Sequence, residues 1–178
     1  MDADDVYEAL KRRHPLPEWV LVRELYLGTG MGRFSYIPEY EETGRGYRGL
    51  RGRYRMRQRV DAWAFNCYES KGFRRIAYEI KISHSDFIRE KLDPEKRRGA
   101  KRISDYFYFA APRGVIAPME VPDDCGLVVV YESGRTQILK RAPKLNPERL
   151  DWQFVASLAR NILQARKRDL AKDRFTGE

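Results

Sequence analysis

Two stretches decide the fold: RVDAWAFN (59–66) and, after a short turn, IAYEIKISHSDF (76–87). Each begins as an apolar run of strand length. Yet the first carries Asp61, and the second carries Glu79 and Lys81, two residues apart. Side chains alternate across a strand, so Glu79 and Lys81 share a face. Asp61 sits on a preceding strand, close enough in sequence to be a hairpin neighbour. The second run leads straight into a helix start. Ser83 or Ser85 can cap it, and Asp86 suits its first turn.

Working outward, ADDVYEALKRR (3–13) reads as a helical piece broken by HPLP. EWVLVRELYL (18–27) is apolar nearly all round and reads as a second, buried helix, with Glu24 projecting between Val20 and Leu21. The bland reading of Glu24 is a surface carboxylate at a helix edge. Residues 28–58 are rich in Gly, Arg and Tyr and poor in aliphatics, and they read as a loop or insertion. GTGMG within them lacks the Lys-Ser/Thr ending of a phosphate-binding loop and follows no strand, so that reading is set aside. The basic segment 95–105 reads as partly helical. YFYFAAP (106–112) is a further strand, with one of its two alternating aromatic pairs in the core. A Pro-rich connection leads to a hairpin over 126–142 that turns at Ser133-Gly134. The chain closes on a long amphipathic helix, 147–174, with a stripe of Phe154, Val155, Leu158, Ala159, Ile162 and Leu163. Trp63 and Phe65 have the parity of Asp61 and are expected to pack against a helix beyond it.

At 178 residues the chain fits one domain. With 35 Lys+Arg against 26 Asp+Glu it carries +9. That balance suggests a polyanionic partner, and nucleic acid is the commonest one. Cys67 and Cys125 lack metal-ligand spacing and read as reduced, buried thiols. The acidic start MDADD is no signal peptide, and no apolar run approaches membrane length, so a cytoplasmic location is expected.

The charges in the apolar runs make chemical sense together. Asp61 and Glu79, converging from adjacent strand ends, offer a hard oxygen site suited to Mg²⁺ or Mn²⁺, to which the Ile80 carbonyl could add. Lys81 beside them can orient a water, neutralise charge on a phosphate, or take up a proton. The competing reading is a Glu79–Lys81 salt bridge on an exposed strand face, with Asp61 at a turn.

Asp61 followed by Glu79-Ile80-Lys81, within strand–turn–strand–helix, resembles the PD-(D/E)XK nuclease superfamily. Residues 57–141 look like its MmcB-like DNA-repair branch and related phage and bacterial proteins. The resemblance implies a restriction-endonuclease-like α/β fold, a mixed central sheet flanked by helices. It implies metal ligands at Asp61 and Glu79, a catalytic Lys81, and a metal-dependent deoxyribonuclease. A Glu on the N-terminal helix completes the site in several members, which makes Glu24 a candidate ligand. Some members of the superfamily place a Pro before the motif Asp, where this chain has Val60. The alternative class is a basic nucleic-acid-binding or assembly protein that keeps the fold without turnover.

Arg51, Arg53, Arg55, Arg57 and Arg59 share the parity of Asp61. Extended into that strand, they would form a positive track leading to the metal. His84, two residues beyond the strand, is a candidate phosphate contact; its ordinary reading is a solvated residue at a helix start.

Overall fold

Residues 59–66 and 75–80 pair as an antiparallel hairpin, and the rest of the sheet extends from its two edges. The computed structural model describes residues 1–27, 59–150 and 152–175. Among these, helix α1 (Ala3–Arg13) precedes strands β1 (Trp19–Tyr26), β2 (Arg59–Asn66) and β3 (Arg75–Ile80). Helices α2 (His84–Lys91) and α3 (Glu95–Arg102) follow, then β4 (Tyr106–Pro112), β5 (Gly126–Val130), β6 (Thr136–Lys140) and α4 (Trp152–Phe175). The strands form one mixed sheet in the order β1-β2-β3-β4-β5-β6. The β3–β4 and β4–β5 pairings are parallel and the others antiparallel. A parallel pair needs a crossover, and between β3 and β4 it is supplied by α2 and α3.

Both faces of the sheet are covered. On one, Trp63, Phe107, Phe109 and Leu127 pack with Phe87 of α2, Ala100 of α3 and Phe154 of α4. On the other, Ala64, Tyr78, Ala110 and Val128 pack with Val6, Ala9 and Leu10 of α1. Two-sided burial explains the unbroken apolar runs of β4 and β5. Trp63 lies with Phe65 and Phe154, the expected packing against a helix, and its indole N–H donates to Ser104 Oγ at 3.0 Å. The cap expected at Ser83 forms, and the structure adds one at the start of α1. The Ser83 hydroxyl accepts the Asp86 N–H at 3.3 Å, and Asp2 and Asp5 cap α1 reciprocally.

Several expectations are corrected. Residues 19–26 form strand β1, not a helix. Glu24 has φ 53, in the left-handed region. Across it the inward parity switches, so Val20, Val22, Leu25 and Leu27 all enter one core. That interrupted spacing imitates a helical stripe. The last helix begins at Trp152 rather than 147. The chain before it is extended, because the Leu145 and Glu148 amides donate to the carbonyls of Asp105 and Arg102. Within its stripe Phe154 is buried and Leu158 packs on the core, while Val155, Ile162 and Leu163 are exposed. Cys67 is exposed, since it falls in the turn after β2; Cys125 is buried. Tyr106 and Tyr108 do not face outward but pack on the α1 side of the sheet. No helix among the described residues is long and apolar enough to cross a membrane.

Candidate active site

The site begins where β2 leaves β3. The last recorded pair is Ala62↔Tyr78, and one step further Asp61 comes opposite Glu79. There the Asp61 carboxylate replaces a main-chain acceptor and takes the Ile80 N–H at 2.9 Å. The next amide, Lys81 N–H, points the other way, to the Ala110 carbonyl at 2.9 Å. On β1, Glu24 stands opposite Asp61, between the pairs Arg23↔Ala62 and Leu25↔Val60. Glu24, Asp61 and Glu79 therefore occupy one row across three adjacent strands. β1 and β2 both bend at this row: Val60 and Trp63 enter the same core across Asp61, as Val22 and Leu25 do across Glu24.

Lys81 sits just past the end of β3, on the face of Glu79. Its Nζ lies 2.6 Å from Glu79 Oε1 and 3.9 Å from Glu90 Oε2. The side chains are withdrawn from water, at 12% exposure for Lys81, 17% for Glu79 and 9% for Glu90. This is not the exposed salt bridge of the competing sequence reading. Burial first, and then the Asp61 charge, push the Glu79 carboxyl up to about 7 against the pull of Lys81. Two carboxylates, Asp61 and Glu79, beside one cation form a centre short of positive charge.

Glu90 was not anticipated from the sequence. It follows Phe87 by three residues on α2, so it lies on the helix's buried face, and that spacing was a readable signal. Arg97 was also missed. Its buried guanidinium donates to the Glu90 carbonyl and lies 5.7 Å from the Phe109 ring centroid. It precedes Ala100 by three residues, on the inner face of α3.

The remaining candidates separate. Arg59 Nη1 is 3.2 Å from Glu24 Oε1, so Glu24 is engaged by a cation on the neighbouring strand. His84 Nε2 is 2.8 Å from Glu120 Oε1, which ties the start of α2 to the Pro118–Glu120 turn. Arg51, Arg53, Arg55 and Arg57 lie outside the described residues. A cleft of about 220 Å³ opens beside the acidic row. It is lined by Ile80, Lys81 and Ile82 at the end of β3, by Asp86, Arg89 and Glu90 of α2, by Lys96 of α3, and by Ala3.

Among the described residues, no three His, Cys, Asp or Glu side chains stand together as a preformed metal group. Asp61 and Glu79 with a nearby carbonyl nevertheless suit Mg²⁺ or Mn²⁺. Mg²⁺ is commonly held by one or two carboxylates and keeps several of its waters.

No family model matches the chain, and no curated protein matches it. It is similar in structure to a protein of unknown function from Silicibacter pomeroyi, with a TM-score of 0.57 and 19% identity, over 100% of this chain and 95% of that one. At that identity the likeness shows a shared mixed α/β fold.

Proposed function

We propose that the chain is a metal-dependent nuclease that hydrolyses DNA phosphodiester bonds, with the restriction-endonuclease-like fold of the PD-(D/E)XK superfamily. The observation that carries this reading is the buried Lys81 ammonium, 2.6 Å from Glu79, with Asp61 facing Glu79 from the next strand. A buried pair of acids with one lysine is costly for stability alone, because desolvation exceeds the Coulombic gain unless further bonds satisfy it. Mg²⁺ or Mn²⁺ held by Asp61 and Glu79, with the Ile80 carbonyl, would polarise a phosphate and lower the pKa of a water. Asp61, fixed by the Ile80 amide, presents its second oxygen at a set angle. Lys81 shields the charge that gathers on the phosphate and orients the attacking water. Glu24, in the same row, is placed to join once Arg59 turns to a DNA phosphate. The net charge of +9 and the arginines at 51, 53, 55, 57 and 59 supply attraction for a polyanion.

The test is degradation of plasmid and single-stranded DNA with Mg²⁺ or Mn²⁺. Wild type should cleave in either metal and fall silent in EDTA. Glu79→Ala should abolish cleavage and Asp61→Ala should weaken metal binding. Lys81→Ala should lower the rate by roughly 10²–10³-fold, typical for removal of one charge-stabilising donor, while DNA and metal still bind. A wild-type protein that binds DNA without cutting it in either metal would establish the binding-only alternative. Cleavage unchanged in Glu79→Ala would remove the site from the reaction.

A further inference from the structure

The cations of α2 and α3 are not equivalent. Arg97 is buried under Phe109 and the end of α2. Arg98 pairs with Glu95 on the outer face at 3.4 Å, and Lys101 pairs with Asp124. Lys91, which follows Glu90 on α2, does not line the cleft. Lys96 is directed otherwise: it lines the cleft beside Lys81, and its ammonium has no ion pair among the described residues. Across from it on α2, Arg89 also lines the cleft and gives one nitrogen, Nη2, to Asp86 Oδ1 at 3.1 Å. A guanidinium has five N–H donors, so that contact leaves Arg89 able to bind an anion bidentately.

The cleft thus gathers three cations from three elements: Lys81 from the end of β3, Arg89 from α2 and Lys96 from α3. It also holds two carboxylates, Asp86 and Glu90. Asp86 is already shared between Arg89 and its place in the first turn of α2, and Glu90 is turned to Lys81. Lys96 and the remaining donors of Arg89 are therefore left to an anion. Ile80 and Ile82 add apolar surface to the lining.

We infer that this cleft seats a backbone phosphate of the substrate strand, held by Arg89 and Lys96 and adjacent to the phosphate that reacts beside Lys81. This rests on the nuclease reading above and extends it, because it places a phosphate subsite on α2 and α3, apart from the arginine row. The contact is to phosphate alone and carries no sequence preference.

The experiment is fluorescence anisotropy of a mixed-sequence duplex oligonucleotide across a salt series, in EDTA so that no strand is cut. Each phosphate neutralised contributes about 0.9 to the slope of log affinity on log salt. Arg89→Ser with Lys96→Ser should lower that slope by about 0.9 and weaken binding equally for unrelated duplex sequences. The control is Lys11→Ser with Arg98→Ser, two exposed cations outside the cleft with the same change in net charge. It should keep the wild-type slope. A wild-type slope in the Arg89/Lys96 variant overturns the subsite and leaves the nuclease reading intact, and so does an equal loss in the control. A wild-type protein that binds no duplex overturns the subsite, and if it also cuts neither plasmid nor single-stranded DNA the nuclease reading falls with it. Circular dichroism of the variant guards against misfolding; if it is unfolded, Lys96→Ser alone is used, and an unchanged slope there overturns the subsite equally.

Discussion

At the C-terminal end of α1 the imidazole of His14 is sealed under the sheet, 5% exposed. Its Nε2 lies 2.8 Å from the Tyr78 hydroxyl, while Nδ1 has no hydrogen-bond partner among the described residues. Burial, then the neighbouring Arg13 charge, pulls its pKa down to about 4 from the model-peptide value of 6.5. The folded state therefore favours the neutral ring. Between those two values the unfolded chain binds more protons, so stability rises with pH there. The contribution is complete above 6.5 and is lost as pH falls toward 4. Wild type should thus lose stability relative to His14→Gln over that window, by up to about 3 kcal/mol from the linkage of 1.36 kcal/mol per pKa unit. Urea unfolding at several pH values measures it; a constant difference between the two proteins would show that the ring does not titrate with folding.

At the scale of elements, β4 and β5 meet where a side chain would not fit. A Cβ on Gly126 would lie 2.3 Å from Tyr108 Cε1 and 2.7 Å from the Ala142 backbone nitrogen. The Tyr108 ring could turn, but the Ala142 main chain is fixed beside it. Gly126→Ala should destabilise the protein by about 1–3 kcal/mol, the usual cost of overpacking, seen as a lowered urea midpoint. Stability equal to wild type would mean that β5 and the 141–142 segment separate easily. Elements differed in how plainly the sequence displayed them. β2, β3 and α2 were legible because apolar runs, a short turn and a serine cap coincide. Asp61, Glu79 and Lys81 came with them, since strand parity alone puts Glu79 and Lys81 together. β1 was misread because one left-handed residue, Glu24, breaks its alternation, and a local backbone reversal leaves no mark in composition. Trp19, Val20 and Val22, β-favouring residues in a row, were the contrary signal. Glu90 and Arg97 were missed because charged residues inside helices read by default as solvated, and only the packing of α2 and α3 turns them inward.

For the whole molecule, net charge and topology matter more than any one contact. The charge of +9 is carried partly by Arg51, Arg53, Arg55 and Arg57, which precede Asp61 in the chain by four to ten residues. On the nuclease reading they track the DNA backbone toward Asp61. Replacing Arg53, Arg55 and Arg57 with Ser should weaken DNA binding for all sequences and lower the salt slope by roughly two to three, about 0.9 per phosphate. A triple variant with the wild-type slope would place the DNA elsewhere. The strand order carries a different consequence. Because the sheet order is the chain order, a polypeptide leaving the ribosome can add each strand to the growing edge, and none must be wedged between two already joined. Helix α1, which precedes all six strands in the chain, is the exception. α1 packs under β3 and β4, and its Arg13 also reaches Thr136 of β6, at 3.2 Å. α1 thus waits for β6, and its docking is complete only when nearly the whole described sheet has emerged.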